Sequence, residues 1–172
     1  CIRDSPSPAH WSMKGIRGVL AQRNLREVQG IVEKALIEYV DERSEDPAMK
    51  YAKDILLAGG KRFRPVLGCL AYEAAGATLD DKMLRTALSA EIIHTATLVH
   101  DDIYDQAKLR RGRPTLHSQH GIAHGIISGD YLFTLGYWLG AEQGPEVIKV
   151  LAETCICLLY TSDAADDCWR VD

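Results

Sequence analysis

The sequence predicts an all-α fold, a multi-helix bundle. Apolar residues recur at three- and four-residue steps along most of the chain, and no segment alternates apolar and polar residues as a half-buried strand would. Start and stop residues also fall where those periodic runs begin and end.

The first run is Leu25, Val28, Ile31, Val32, Ala35, Leu36, Tyr39 and Val40, behind Asn24 as N-cap. The charged stretch Asp41 to Pro47 ends it. A second stripe, Met49, Ala52, Ile55 and Leu56, stops at Gly59-Gly60, where glycine terminates a helix by adopting positive φ. Pro65 suits the first turn of a third helix running to about Ala75. From Asp80, the positions Leu84, Leu88, Ile92, Thr95 and Val99 mark a long helix with one buried stripe. Arg110 to Pro114 reads as a loop. Ile122, Ile126, Leu132, Leu135 and Leu139 resume the helical register to Gly140, and Gly121, Ala123, Gly125, Ser128 and Gly129 allow a neighbouring helix to approach closely. Pro145 opens a last apolar segment, Val147 to Leu159.

The 172 residues, 47% of them hydrophobic, suffice for one domain with a real core, expected over 13–157. Residues 158–172 break the periodicity and read as an anomalous tail, foreign to the domain. The chain begins without Met, which suggests a piece of a longer protein, with Met13 a candidate start.

A net charge of −4 offers neither a basic surface for nucleic acid nor a polybasic membrane anchor, so phosphate recognition has to be local. No run approaches the ~20 apolar residues of a transmembrane segment. A cytoplasmic location is expected. Five cysteines, an odd number, suit a reduced compartment, and Cys155-Ile-Cys157 is a poor metal motif.

Two clusters carry chemistry. Asp101, Asp102 and Asp105 lie near the C-terminal end of the long helix, where offsets of three and four residues bring Asp105 beside both others. Carboxylates crowded at the negative end of a helix dipole call for a cation, and hard oxygen ligands suit Mg²⁺, which keeps several waters and takes substrate phosphate oxygens. A lone DDxxD is more often a solvated face. Here the flanking Leu98 and Val99 are apolar, and Arg110 and Arg111 follow in a loop that can return forked donors toward phosphate.

The second cluster is Gly59-Gly60-Lys61-Arg62-Phe63-Arg64-Pro65, a glycine turn with three cations at a helix start, where anions bind. Lys61 and Arg64 are expected as ligands and Arg62 as a basic surface residue. His94 lies two turns from Asp101 on the same face and is a candidate phosphate group; His100 and His117 are taken as structural. Together the clusters call for two diphosphates bound side by side, one through metal and one directly by cations.

The runs Gly60 to Pro65, Glu91 to His94, His100 to Asp105 and Arg110 to Pro114 resemble the trans-isoprenyl (polyprenyl) diphosphate synthases, over about residues 25 to 150. That resemblance implies a fold of the isoprenoid synthase type, here its N-terminal portion. It implies that Asp101, Asp102 and Asp105 bind the allylic diphosphate through Mg²⁺ with help from Arg110, and that Lys61, Arg64, His94 and Arg111 hold isopentenyl diphosphate. A prenyltransferase elongating chains head to tail, acting as a homodimer, is then expected. In this family the side chains just above the first aspartate motif set product length. Thr97, about one turn beneath Asp101, and Ala96, about 7.5 Å beneath it, are both small, which favours products of geranylgeranyl length or longer.

The family's second aspartate-rich motif is not matched, since Asp163, Asp166 and Asp167 have reversed spacing and sit in the anomalous tail, so the chain alone is expected to be inactive. Two other readings stay open: a class I terpene cyclase, which shares DDxxD but holds no second substrate, and a non-catalytic regulatory subunit of a heteromeric synthase, which can afford to lose the carboxylates or the lysine.

Overall fold

A computed structural model of the chain describes residues 25–156. The expectations placed on Asn24, Cys157, Met13 and the tail 158–172 lie outside those residues. Seven helices are described: α1 (Leu25–Asp41), α2 (Met49–Leu56), α3 (Phe63–Ala74), α4 (Asp81–Tyr104), α5 (Leu116–His120), α6 (Ile122–Ala141) and α7 (residues 145–156). A minimal antiparallel ribbon, β1 (Leu109–Arg110) and β2 (Arg113–Pro114), stands where the sequence predicts only a loop. Two residues per strand are too few for alternation to register as a pattern.

The apolar stripes face one core. Val28, Val32, Leu36 and Val40 of α1 meet Met49, Ala52 and Leu56 of α2, Val66 and Cys69 of α3, Leu88, Ile92 and Ala96 of α4, and Leu132, Leu135 and Leu139 of α6. Leu25 departs from the expected stripe and is 61% exposed, and so do Ile122 and Ile126 at the start of α6, which are 59% and 45% exposed. Burial pushes the Cys69 thiol up to about 11, with the nearby Glu73 carboxylate adding to the effect, so this cysteine packs as a small hydrophobe.

Capping sets the helix starts. Asp46 Oδ1 accepts from the Ala48 amide at 2.9 Å ahead of α2, and Asp80 Oδ1 accepts from the Met83 amide at 2.8 Å ahead of α4. Pro65 is the third residue of α3, where its missing N–H costs nothing.

α4 and α6 run antiparallel in close contact, because four glycines of α6 meet α4 in reversed order. A Cβ added at Gly125, Gly129, Gly136 or Gly140 would meet Ile103, His100, Ile93 or Ser89, respectively, at 2.8, 2.1, 2.6 and 3.1 Å. The sequence marked Gly125 and Gly129 for this contact but not Gly136 and Gly140. At Gly136 the backbone itself is near, with Ser89 O at 3.1 Å and Ile93 N at 3.2 Å, so a side chain there has no cheap escape.

Gly136→Ala is therefore expected to cost about 1–3 kcal/mol of overpacking. Gly30→Ala, in α1 with nothing within 4 Å of the new methyl, should instead gain about 0.5–1 kcal/mol. Urea midpoints of the two variants shifting in the same direction would refute this picture of the α4–α6 contact.

Candidate active site

The turn between α2 and α3 presents the first cations. Gly59 at φ +79° and Arg62 at φ +46° reverse the backbone twice within four residues. Arg62 consequently points inward and is only 5% exposed, contrary to the surface position expected of it. Its Nε donates to Glu33 Oε2 at 2.8 Å, its Nη1 to Glu91 Oε1 at 3.1 Å and its Nη2 to the Leu56 carbonyl at 2.6 Å. Desolvation works against its charge, and the hydrogen bonds it donates to Glu33 and Glu91 more than compensate, so the guanidinium pKa is raised above its ordinary value. With Arg62 facing the core, Lys61 and Arg64 on either side remain exposed on the opposite face.

The ribbon supplies the second set. Arg111 at φ +52° and Gly112 at φ +76° form its two-residue turn, the positive-φ pair that matches strand twist. Arg111 Nη1 donates to the Gly59 carbonyl at 2.6 Å and lies against Gly60, where a Cβ would come within 2.8 Å of it. The glycine pair thus does more than end α2: it lets an arginine 52 positions away close over the turn.

His94 of α4 stands beside Arg64, with Arg64 Nη1 3.0 Å from His94 Nε2. The guanidinium can only donate, so Nε2 accepts and the proton resides on Nδ1, a buried atom with no partner among the described residues. Burial first, and then the positive charges of Arg64, Arg111 and Arg110, hold the imidazole pKa below its usual value. A histidine whose folded pKa is lowered favours the native state least in acid. The difference in unfolding free energy between the wild type and His94→Gln should shrink as pH falls from 7 through the ordinary imidazole pKa of ~6.5. Paired denaturation curves at pH 7.5 and 5.5 test this, and a pH-independent difference would contradict it.

The three aspartates do not form one cluster, as the sequence reading expected them to. Asp102 is 7% exposed, and its Oδ1 accepts from Arg110 Nε at 2.7 Å. Asp101 is half-buried; Asp105 is exposed at the end of α4, its amide donating to the Asp101 carbonyl at 2.8 Å. Consecutive helical residues diverge by about 100°, so Asp102 turns inward, where Arg110 neutralises it, while Asp101 and Asp105 stand one turn apart. Among the described residues no three carboxylate, imidazole or thiol groups are set to hold one ion. Asp101 and Asp105, carboxylates on successive turns, are nonetheless hard oxygen donors of the kind that suits Mg²⁺.

These groups line a cleft of about 440 Å³. Lys61, Arg64, His94, Asp102, Arg110 and Arg111 all border it, so the structure brings together the expected diphosphate residues, whereas Asp101 and Asp105 lie outside its walls. Ile55, Leu98 and Leu116 form an apolar stretch of lining. Ala96 is fully buried in the core and Thr97 donates to the His94 carbonyl at 2.7 Å, and neither borders the cleft. Arg62 and Arg110 are committed to carboxylates; Lys61, Arg64, Arg111 and Arg113 have no carboxylate partner among the described residues. In a chain of net charge −4 this cleft is locally cationic.

Sequence reasoning missed Arg113, Tyr51 and His120 on the cleft wall. Arg113 was visible as the third cation of Arg110-Arg111-Gly112-Arg113. The pairing of Tyr51 with His120, ring centroids 5.1 Å apart, leaves no local signal. His100 packs on Gly129, its Nε2 3.3 Å from the Ile126 carbonyl, and His117 Nδ1 lies 3.2 Å from Thr115 Oγ1. No helix among the described residues is long and apolar enough to cross a membrane.

The model of the polyprenyl synthetase family matches residues 46–165. A short chain isoprenyl diphosphate synthase of Methanocaldococcus jannaschii is 34% identical over 130 residues, 73% of this chain and 39% of that protein. Component 2 of the heptaprenyl diphosphate synthase of Geobacillus stearothermophilus is 42% identical over 111 residues, 64% of this chain and 34% of that protein. Among solved structures, a geranylgeranyl pyrophosphate synthase superposes with a TM-score of 0.78 at 29% identity, over 88% of this chain and 47% of that one. A geranyltranstransferase of Thermotoga maritima gives 0.72, also at 29% identity, over 80% and 53%. The chain spans well under half the length of these curated relatives.

Proposed function

The chain belongs to the polyprenyl synthetase family, and on that premise we propose that it forms the diphosphate-binding half of a prenyltransferase condensing isopentenyl diphosphate with an allylic diphosphate. The observation that carries this reading is the cleft, where Lys61, Arg64, His94 and Arg111 converge from three separate segments and none of the three cations is ion-paired to a carboxylate among the described residues.

Lys61, Arg64 and Arg111 hold the diphosphate of isopentenyl diphosphate, and His94 lies beside them, its Nε2 accepting from Arg64. The apolar lining from Ile55, Leu98 and Leu116 keeps water from the olefin. Asp101 and Asp105 would hold Mg²⁺, which when bound would supply Lewis-acid stabilisation of the charge on the leaving diphosphate. Asp102 acts differently, fixing Arg110 by their ion pair so that the arginine's free Nη groups reach the same anion. The allylic C–O bond ionises, the isopentenyl double bond attacks the resulting cation, and the departing diphosphate takes the proton. The protein's share is placement and charge stabilisation.

Small Ala96 and Thr97 favour products of geranylgeranyl length or longer, in a homodimer located in the cytoplasm. By itself the chain is inactive, since residues 25–156 hold a single DDxxD segment. The cation site argues against a cyclase, and retention of both Lys61 and the aspartates argues against a non-catalytic subunit.

The test is Mg²⁺-dependent elongation from isopentenyl and farnesyl diphosphates by a chimera carrying residues 25–156 joined to the C-terminal part of a curated synthase. Longer prenyl diphosphates are expected from the chimera and none from the chain alone. Cyclic hydrocarbon from the chimera would point to the cyclase, and a folded but inert chimera to the regulatory subunit.

A further inference from the structure

The ribbon register places Arg113 directly opposite Arg110. Residues so paired send their side chains to the same face, with Cβ atoms about 4.5–5.5 Å apart, and like charges in that position repel. Each strand here has two residues, and the turn between them already holds a non-glycine residue, Arg111, at φ +52°. So short a ribbon has little of its own to offset that repulsion.

The two arginines are not equivalent. Arg110 Nε donates to Asp102 Oδ1 at 2.7 Å, which commits that edge of its guanidinium. Arg113 is exposed, has no carboxylate partner among the described residues and borders the same cleft as Lys61, Arg64 and Arg111. An anion seated between the two guanidinium groups would turn the repulsion into two forked contacts.

We propose that Arg113 is a direct ligand of the allylic diphosphate, gripping it from the opposite side to Arg110. The inference rests on the functional reading above. It adds a recognition residue on β2, across the ribbon turn from Arg110.

The test is calorimetric titration of the chain with inorganic diphosphate, with and without Mg²⁺. Arg113→Gln should weaken the Mg²⁺-dependent binding about tenfold, in line with loss of one charge-assisted contact, and Arg113→Lys should recover only part of it. Lys108→Gln makes the same charge change beside the ribbon but outside the cleft lining, and should stay within about twofold of wild type. Equal losses for Arg113→Gln and Lys108→Gln would overturn the proposal by reducing it to bulk charge. So would an Arg113→Gln variant that binds like wild type while Asp101→Asn abolishes the Mg²⁺-dependent component, an outcome that leaves the functional reading standing. No binding of diphosphate by wild type in either condition would overturn both.

Discussion

Arg62→Met is expected to destabilise the fold by about 3–5 kcal/mol, the cost of breaking a buried ion pair from one side. The arginine side chain is 4% exposed and joins α1 through Glu33, α4 through Glu91 and the end of α2 through the Leu56 carbonyl. Methionine fills a similar volume but leaves Glu91, 9% exposed, with no cation, and strands the carbonyl. The size of the loss therefore comes from the orphaned groups rather than from the Coulomb energy of the pair. Adding Glu91→Leu to Arg62→Met should restore a large part of the stability, because two apolar groups replace a compensated pair. Urea denaturation of both single variants and the double variant decides the matter: an Arg62→Met loss below about 1 kcal/mol, or a double variant worse than the sum of the singles, would show that the network is not what fixes this turn. A functional consequence follows, since Arg62 holds the reversal that leaves Lys61 and Arg64 facing the cleft.

In the elongation-competent chimera, Asp101→Asn is expected to lower kcat about 10²- to 10³-fold, the range seen when one charge-stabilising group is removed from a preorganised site. The structure separates the neighbouring aspartates, and that separation makes the prediction specific. Asp101 shares its side of α4 with Asp105, whereas Asp102 is buried on Arg110. Raising Mg²⁺ should partly restore Asp101→Asn, because a weakened metal site refills at higher concentration. Asp102→Ala should lose activity that Mg²⁺ does not restore and about 1.5–3 kcal/mol of stability, the worth of a hydrogen bond to a charged group. Thermal unfolding and a Mg²⁺ titration of each variant separate the two roles. Asp101→Asn retaining activity within about twofold, or both variants responding alike to Mg²⁺, would mean that the three carboxylates act as one cluster after all.

Periodicity alone located most of the helices: α2 stops just ahead of the Gly59-Gly60 pair, and the stripes of α1, α4 and α6 face the core except at Leu25, Ile122 and Ile126. The two charged motifs, the Lys61 and Arg64 pair and the Asp101 to Asp105 segment, were equally legible, because residue type and spacing within one or two helical turns already constrain what such groups can do. Four things were decided only in three dimensions. Arg62 is a core residue and not a surface one, Asp102 parts company with Asp101, Arg113 joins the cleft wall, and Gly136 and Gly140 extend the contact surface of α6. Most depend on a partner outside the segment's own helix, as with Asp102 and Arg110 at a separation of 8 residues or Arg62 and Glu91 at 29. A local pattern records how a segment divides its own faces between core and water. It holds no record of which distant charge or backbone will meet that face, and that meeting is what sorts otherwise identical arginines and aspartates into structural and ligand-binding roles.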